Sequence, residues 1–237
     1  MAKTLFFGAL ILGLLSIGAY EAWKAPDFDE SVREALRELG HNRTYAMRVQ
    51  TSSFMDDRTL LIDGVYRIDA PQDAYASEST TTLTVLETGE THTFSLRNVS
   101  VKDMVYVSVA SESALLSHTL PLTDGWRAFS STDIPPEYDG IALRGTILDN
   151  ALLFADDGTH LHYVDRTAEG AYVFRLRDPR ANIGGSLQTL FERIGAEGRV
   201  TVWIKDAEVS QFVFSGTNYV STTTLLREPL TPITPPL

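Results

Sequence analysis

His160 and His162 stand two apart in a stretch of alternating polarity, so on a strand both imidazoles leave the same face, with Asp156, Asp157 and Asp165 nearby. Such a pair can ligate a divalent metal. Leu161 and Tyr163 alternate with the histidines and are assigned the inner face. The imidazoles then sit on the solvated side, without a third ligand or the outer partners that orient a metal-bound ring. No metal is expected. Asp56-Asp57 and Asp156-Asp157-Gly158 lack the D-x-D-x-D-G spacing of a calcium loop and read as hairpin turns. Paired carboxylates could do acid/base work on a glycan, but nothing in the spacing singles out a pair. The chain holds no G-x-S-x-G, H-E-x-x-H, G-x-x-x-x-G-K-[ST] or G-x-G-x-x-G motif. Gly184-Gly185 is read as freeing the start of a helix, although such a start can also bind an anion. Asn42-Arg43-Thr44 and Asn98-Val99-Ser100 match the glycosylation sequon, which matters only in a eukaryotic secretory pathway. Neither catalysis nor a cofactor is expected.

The remaining candidates are apolar. Tyr66, Phe94, Tyr172, Phe174, Leu176, Phe212 and Phe214 fall on single faces of alternating stretches. Two readings stand. Apolar strand faces ordinarily pack as core; if the core is incompletely filled, the same side chains line a cavity, and Tyr66, Phe94, Tyr172, Phe174, Phe212 and Phe214 become ligand-binding residues.

The elements that would position them follow from periodicity. After Pro26 an amphipathic helix carries Val32, Ala35, Leu36 and Leu39 on one stripe and stops at Gly40. From Thr44 to about Ala110 the period drops to two: Tyr45, Met47 and Val49; then Leu60, Ile62, Tyr66 and Ile68; then Tyr75, Leu83 and Val85. Phe94 and Leu96 follow, and last Val105, Val107 and Val109. The separators, such as Pro71-Gln72-Asp73 and Thr88-Gly89-Glu90, fit hairpins and are too short for helical crossovers. A meander of antiparallel strands results.

Further on, Gly125 to Phe129 reads as a short strand and Pro135-Pro136 opens a helical turn. Leu143, Ile147, Leu148, Ala151 and Leu152 suggest a helix that Gly145 weakens. Strands resume at His160 to Asp165 and Ala171 to Arg177. A helix with Leu187, Leu190, Phe191 and Ile194 precedes three last strands, Arg199 to Lys205, Val209 to Ser215 and Tyr219 to Leu226. Two or three helices cannot cover both sides of about eleven strands. The expected fold is therefore α+β: a large curved antiparallel sheet, closed as a barrel or left as an open half-barrel, wrapped around those helices.

Hydrophobic residues make up 43% of the 237, enough for a packed core. With 20 Lys and Arg against 31 Asp and Glu, the net charge of −11 offers phosphates no attractive field, so nucleic acid is not an expected partner. Thr4 to Tyr20 carries no charge and reads as a membrane segment, near the short end of the roughly 20 residues that span a bilayer. Its length favours a retained anchor, while Ser16-Ile17-Gly18 offers a weak cleavage site. Lys3 ahead of it and acidic residues after it put the N-terminus in the cytoplasm and the domain outside, in a periplasm or at a cell surface. The expected division is residues 1–24 as anchor or signal peptide, 25–229 as one domain and 230–237 as a Pro-rich tail.

Two stretches then suggest a family. Gly198-Arg199-Val200-Thr201-Val202-Trp203-Ile204-Lys205-Asp206, followed by Phe212 to Phe214, is similar to a strand of the lipoprotein-carrier superfamily that ends in a V-W-I-D-like run. Gly64-Val65-Tyr66-Arg67-Ile68-Asp69-Ala70-Pro71 resembles that family's second strand. The order of elements also resembles these proteins, which include LolA-like carriers and the LppX and LprG type of lipid-binding lipoproteins. The resemblance implies an unclosed barrel with a helical lid that holds acyl chains, with a lipid or acylated protein as partner. The family's lipid-modified members carry a lipobox cysteine that is absent here. The alternative is a structural or protein-interaction module of the cell envelope with a filled core. The oligomeric state is left open.

Overall fold

The computed structural model describes residues 44–113, 121–139, 161–176, 197–227 and 231–236, with Val32, Glu34, Ala35, Glu38, Leu39 and Gly195. The anchor segment 4–20, the helices expected over 143–152 and 187–194, and His160 lie outside these residues. Among the described residues no helix is long and apolar enough to cross a membrane.

The alternating stretches form strands β1 (Thr44–Phe54), β2 (Arg58–Asp69), β3 (Ala74–Val85), β4 (Thr91–Val101), β5 (Met104–Ser111) and β6 (Arg127–Ser130). They continue as β7 (Leu161–Arg166), β8 (Tyr172–Leu176), β9 (Arg199–Lys205), β10 (Glu208–Ser215) and β11 (Tyr219–Leu226). All eleven belong to one antiparallel sheet in the order β6-β5-β4-β3-β2-β1-β11-β10-β9-β8-β7. The expected meander is thus two meanders. They meet where β1 pairs with β11, from Ala46 opposite Leu226 to Ser53 opposite Tyr219. The short hairpin separators fix neighbours within each half, whereas the join links segments about 170 residues apart, which no local pattern reports. β6 and β7 are the two edges, so the sheet is not closed, as a half-barrel requires.

One face carries the core in three clusters. Val32, Ala35 and Leu39 are helical and buried, and they pack on Tyr172, Phe174, Val200, Val202, Val209, Phe212 and Phe214. Met47, Val49, Tyr66, Ile68 and Tyr75 form the second cluster, and Val105, Val107 and Val109 the third. A helical turn, Pro136–Asp139, brings Tyr138 against the third, its ring 4.9 Å from that of Phe129. The tail 231–236 has no regular structure, and Arg67 donates to the Thr231 hydroxyl at 3.3 Å.

Two backbone positions carry strong constraints. Gly64 faces Ser79 on β3, and a Cβ at residue 64 would lie 2.7 Å from the Ser79 Cβ and 3.1 Å from the Glu78 carbonyl oxygen. The β9–β10 hairpin turns on Asp206 and Ala207 at φ of 55° and 64°, the two left-handed residues of a type I′ turn. Alanine is poorly suited to that conformation. Ala207→Gly is therefore expected to stabilise the protein by about 0.5–1 kcal/mol. Gly64→Ala should destabilise it by about 1–3 kcal/mol. Urea denaturation of both variants beside the parent chain measures the two effects, and a reversed sign at either position contradicts the steric account.

Candidate functional site

Residues opposite each other on paired strands share a face. By that rule all six aromatic candidates lie on the core-bearing side. Tyr66 is opposite Met47 and Ser77; Phe94 opposite Thr81 and Ser111; Phe174 opposite Tyr163 and Val200. Tyr172 and Phe212 both face Val202, and Phe214 faces Val200. The structure brings Tyr172, Phe174, Phe212 and Phe214 into one cluster, with Phe174 fully buried. The rings of Phe212 and Phe214 are 6.4 Å apart, and Tyr163 meets Phe174 edge-on at 5.9 Å. Tyr66 belongs to the second cluster. Among the described residues Phe94 joins none of them: it is half-buried near the start of β4. Tyr163 packs inward and His162 is exposed, as alternation requires, and no group of three or more His, Asp or Glu among the described residues could hold a metal.

A cavity of about 630 Å³ opens where the helical residues Ala35 and Leu39 meet the starts of β1 and β10 and the end of β11. Its apolar wall includes Tyr45, Val209 and Leu225, and Leu225 packs against both the first and the second cluster. The mouth is polar. Glu38, Glu208 and Arg227 line it. Arg227 donates to Asp206 at 3.1 Å and to the Lys205 carbonyl at 3.0 Å, and lies 3.7 Å from Glu208. The stripe of the helix and the alternation of β1 and β10 mark the apolar lining in the sequence. Arg227 lies just past a strand end and carries no such signal.

Between the second and third clusters the inner face turns small and polar. Ser77, Ser79, Thr81 and Asn98 are all buried there. The Asn98 amide donates to the Ser77 hydroxyl over a long 3.5 Å, and among the described residues its carbonyl oxygen has no partner, a costly arrangement for a residue 1% exposed. Burial pushes the Tyr66 phenol above its ordinary range, opposed by a hydrogen bond with Ser79. Burial raises Tyr75 further, with Tyr66 adding to the effect and Ser77 opposing it.

These phenols set an alkaline limit. A raised folded-state value means that the neutral form is favoured by folding, so the contribution is intact below about pH 10, where an unfolded tyrosine ionises, and is lost as pH rises towards the folded values. Stability should fall above that point by about 1.4 kcal/mol per pH unit for each of the two. Circular dichroism followed together with the ring NMR signals of Tyr66 and Tyr75 should show unfolding and the ionisation of these two in one transition. Tyr66→Phe and Tyr75→Phe should each move it to higher pH; ionisation of Tyr66 or Tyr75 before unfolding contradicts the burial account.

No protein-family model matches the chain, and no curated protein matches it in sequence. Among solved structures, the crystal structure of LprF from Mycobacterium bovis is similar at 10% identity with a TM-score of 0.41, over 87% of this chain and 95% of that one. At this distance no residue of one is carried onto the other, and the site stands on its own geometry.

Proposed function

We infer that this protein is a membrane-tethered, extracytoplasmic domain that holds a lipid or lipid-modified ligand non-covalently and without catalysis. The observation that carries the reading is the cavity at the junction of two apolar clusters, within the usual range of roughly 300–1,000 Å³ for ligand sites. Its apolar wall suits an acyl chain and its charged mouth suits a head group. Each methylene taken from water contributes about 0.8 kcal/mol, so one chain binds well without any reactive group. The tether and the outward orientation rest on Thr4 to Tyr20 and its flanking charges.

A second reading has its own support. Tyr172, Phe174, Phe212 and Phe214 are consumed in packing, as in a structural module with a filled core. On the opposite face Phe54, Leu61 and Val220 are exposed around Ser52, a patch suited to a protein contact.

Native mass spectrometry of the full chain released from detergent micelles separates the two. The lipid reading expects an adduct with the mass of one lipid and saturable uptake of a fluorescent fatty acid. Leu225→Gln, in the cavity wall, should weaken that uptake by about tenfold or more; because Leu225 packs on both clusters it should also lower the unfolding temperature, so uptake is compared well below that temperature. A lipid-free protein that ignores the fatty acid leaves only the interaction module.

A further inference from the structure

Two openings of the described sheet differ in how their walls are built. One, of about 810 Å³, wraps around the sheet at the start of β4. Thr91 and Thr93 leave the outer face there and Phe94 and Ser111 the inner one, so no single wall faces a ligand. The other is the cavity at the β1–β11 seam. Its wall of Leu39, Tyr45, Val209 and Leu225 leads to a rim lined by three charged side chains, Glu38, Glu208 and Arg227. If the cavity holds a lipid, as inferred above, that rim meets the head group.

The one cation lining the rim is already engaged. Arg227 lies just past β11, and its guanidinium reaches the β9–β10 turn, where it donates to the Asp206 carboxylate at 3.1 Å and to the Lys205 carbonyl at 3.0 Å. The Glu208 carboxylate lies 3.7 Å from the same guanidinium. Two carboxylates therefore share one positive charge. Glu38 adds a third from the helix; it is exposed, and no described lysine or arginine pairs with it. The balance around the mouth is acidic, in keeping with the net charge of −11.

That balance selects among head groups. An anionic one must draw Arg227 away from Asp206 and Glu208, and it approaches Glu38 as a like charge. A primary ammonium finds the reverse, since carboxylates accept its N–H donors in charge-assisted hydrogen bonds. A quaternary ammonium has no N–H to give and is held best by a cage of aromatic faces, whereas Tyr45 is the only aromatic ring among the described lining residues. We propose that the cavity takes a lipid whose head group ends in a primary ammonium, with the acyl chain on the apolar wall and the ammonium at Glu38 and Glu208. The side chains of Arg227 and Glu208 are 52% and 66% exposed, so salt screens the selection, which acts as a preference among lipids rather than an absolute filter.

The test offers the full chain, in nonionic micelles, an equimolar mixture of palmitoyl lysophosphatidylethanolamine, lysophosphatidylcholine and lysophosphatidylglycerol. Native mass spectrometry reads the three adducts in one spectrum. At about 20 mM salt the ethanolamine lipid should exceed the glycerol lipid by about fivefold or more, with the choline lipid between them, and about 500 mM salt should shrink the ratio. Glu38→Gln and Glu208→Gln should each bring the ratio of ethanolamine to glycerol adducts towards one, whereas Arg227→Gln should raise it. Shifts of opposite direction distinguish charge from damage to the fold, which lowers all three adducts together. The proposal is overturned if the glycerol or the choline lipid binds as well as the ethanolamine lipid, or if the variants leave the ratio unchanged; adducts still form in either case, so the lipid reading stands. The absence of every adduct removes the lipid reading and this assignment with it.

Discussion

The pairing of the first strand with the last holds this architecture together. β1 through β6 make one meander and β7 through β11 another, and only the β1–β11 ladder joins them among the described strands. On its inner side Met47 faces Leu225 and Val49 faces Thr223, while the Thr51 and Ser221 hydroxyls meet at 2.8 Å. Leu225 touches both the first and the second cluster, so the seam also connects the two parts of the core. Without it, each half would expose one apolar face and an additional strand edge. The apolar cavity lies at one end of this seam, between strands that only the join brings together. Since the partners are so far apart in sequence, the cavity forms only once the whole chain has folded.

The inner face is not uniformly apolar. The apolar clusters are separated by Ser77, Ser79, Thr81 and Asn98 on one side and by Ser221 and Thr223 on the other. Small side chains at these positions, with Gly64 against Ser79, allow neighbouring elements close to the sheet where larger groups would hold them away. Buried hydroxyls need hydrogen-bond partners. Ser77 and Ser79 supply them to Tyr75 and Tyr66. The polar row therefore restricts which partners and orientations the inner face accepts, which a smooth apolar sheet would not do.

Much of this was legible because strands with one buried face record it at period two. Met47 and Val49, Val105, Val107 and Val109, and Phe212 and Phe214 declared their faces, and all are inward. The stripe Val32, Ala35 and Leu39 likewise declared the packed side of its helix. Alternation reports which face a residue occupies, but not what lies above it. For this reason Phe174 and Phe94 looked equivalent, although one is fully buried and the other lines an open cleft. The difference depends on where β5 ends, a boundary set by tertiary pairing. The cavity mouth was illegible for the same kind of reason: Arg227 is placed by the β9–β10 turn, whose Asp206 holds its guanidinium.

The two openings stand at opposite ends of the strands, one at the start of β1 and the other at the start of β4. An eleven-residue strand is about 36 Å long, so one small ligand does not reach both. Each lies where an element begins or ends: the first at the start of β10 and the end of β11, the second beside the early end of β5. Strand interiors in this sheet are occupied by ladders and core, and no comparable opening is needed there for the fold to close over its apolar face. Chemical character then follows local composition. Where the helical stripe meets the sheet the lining includes Leu39, Tyr45, Val209 and Leu225, and where β4 loses its neighbour it includes Thr91, His92 and Phe94. One continuous sheet thus carries two openings at opposite ends of its strands, and among the described residues they share no lining side chain.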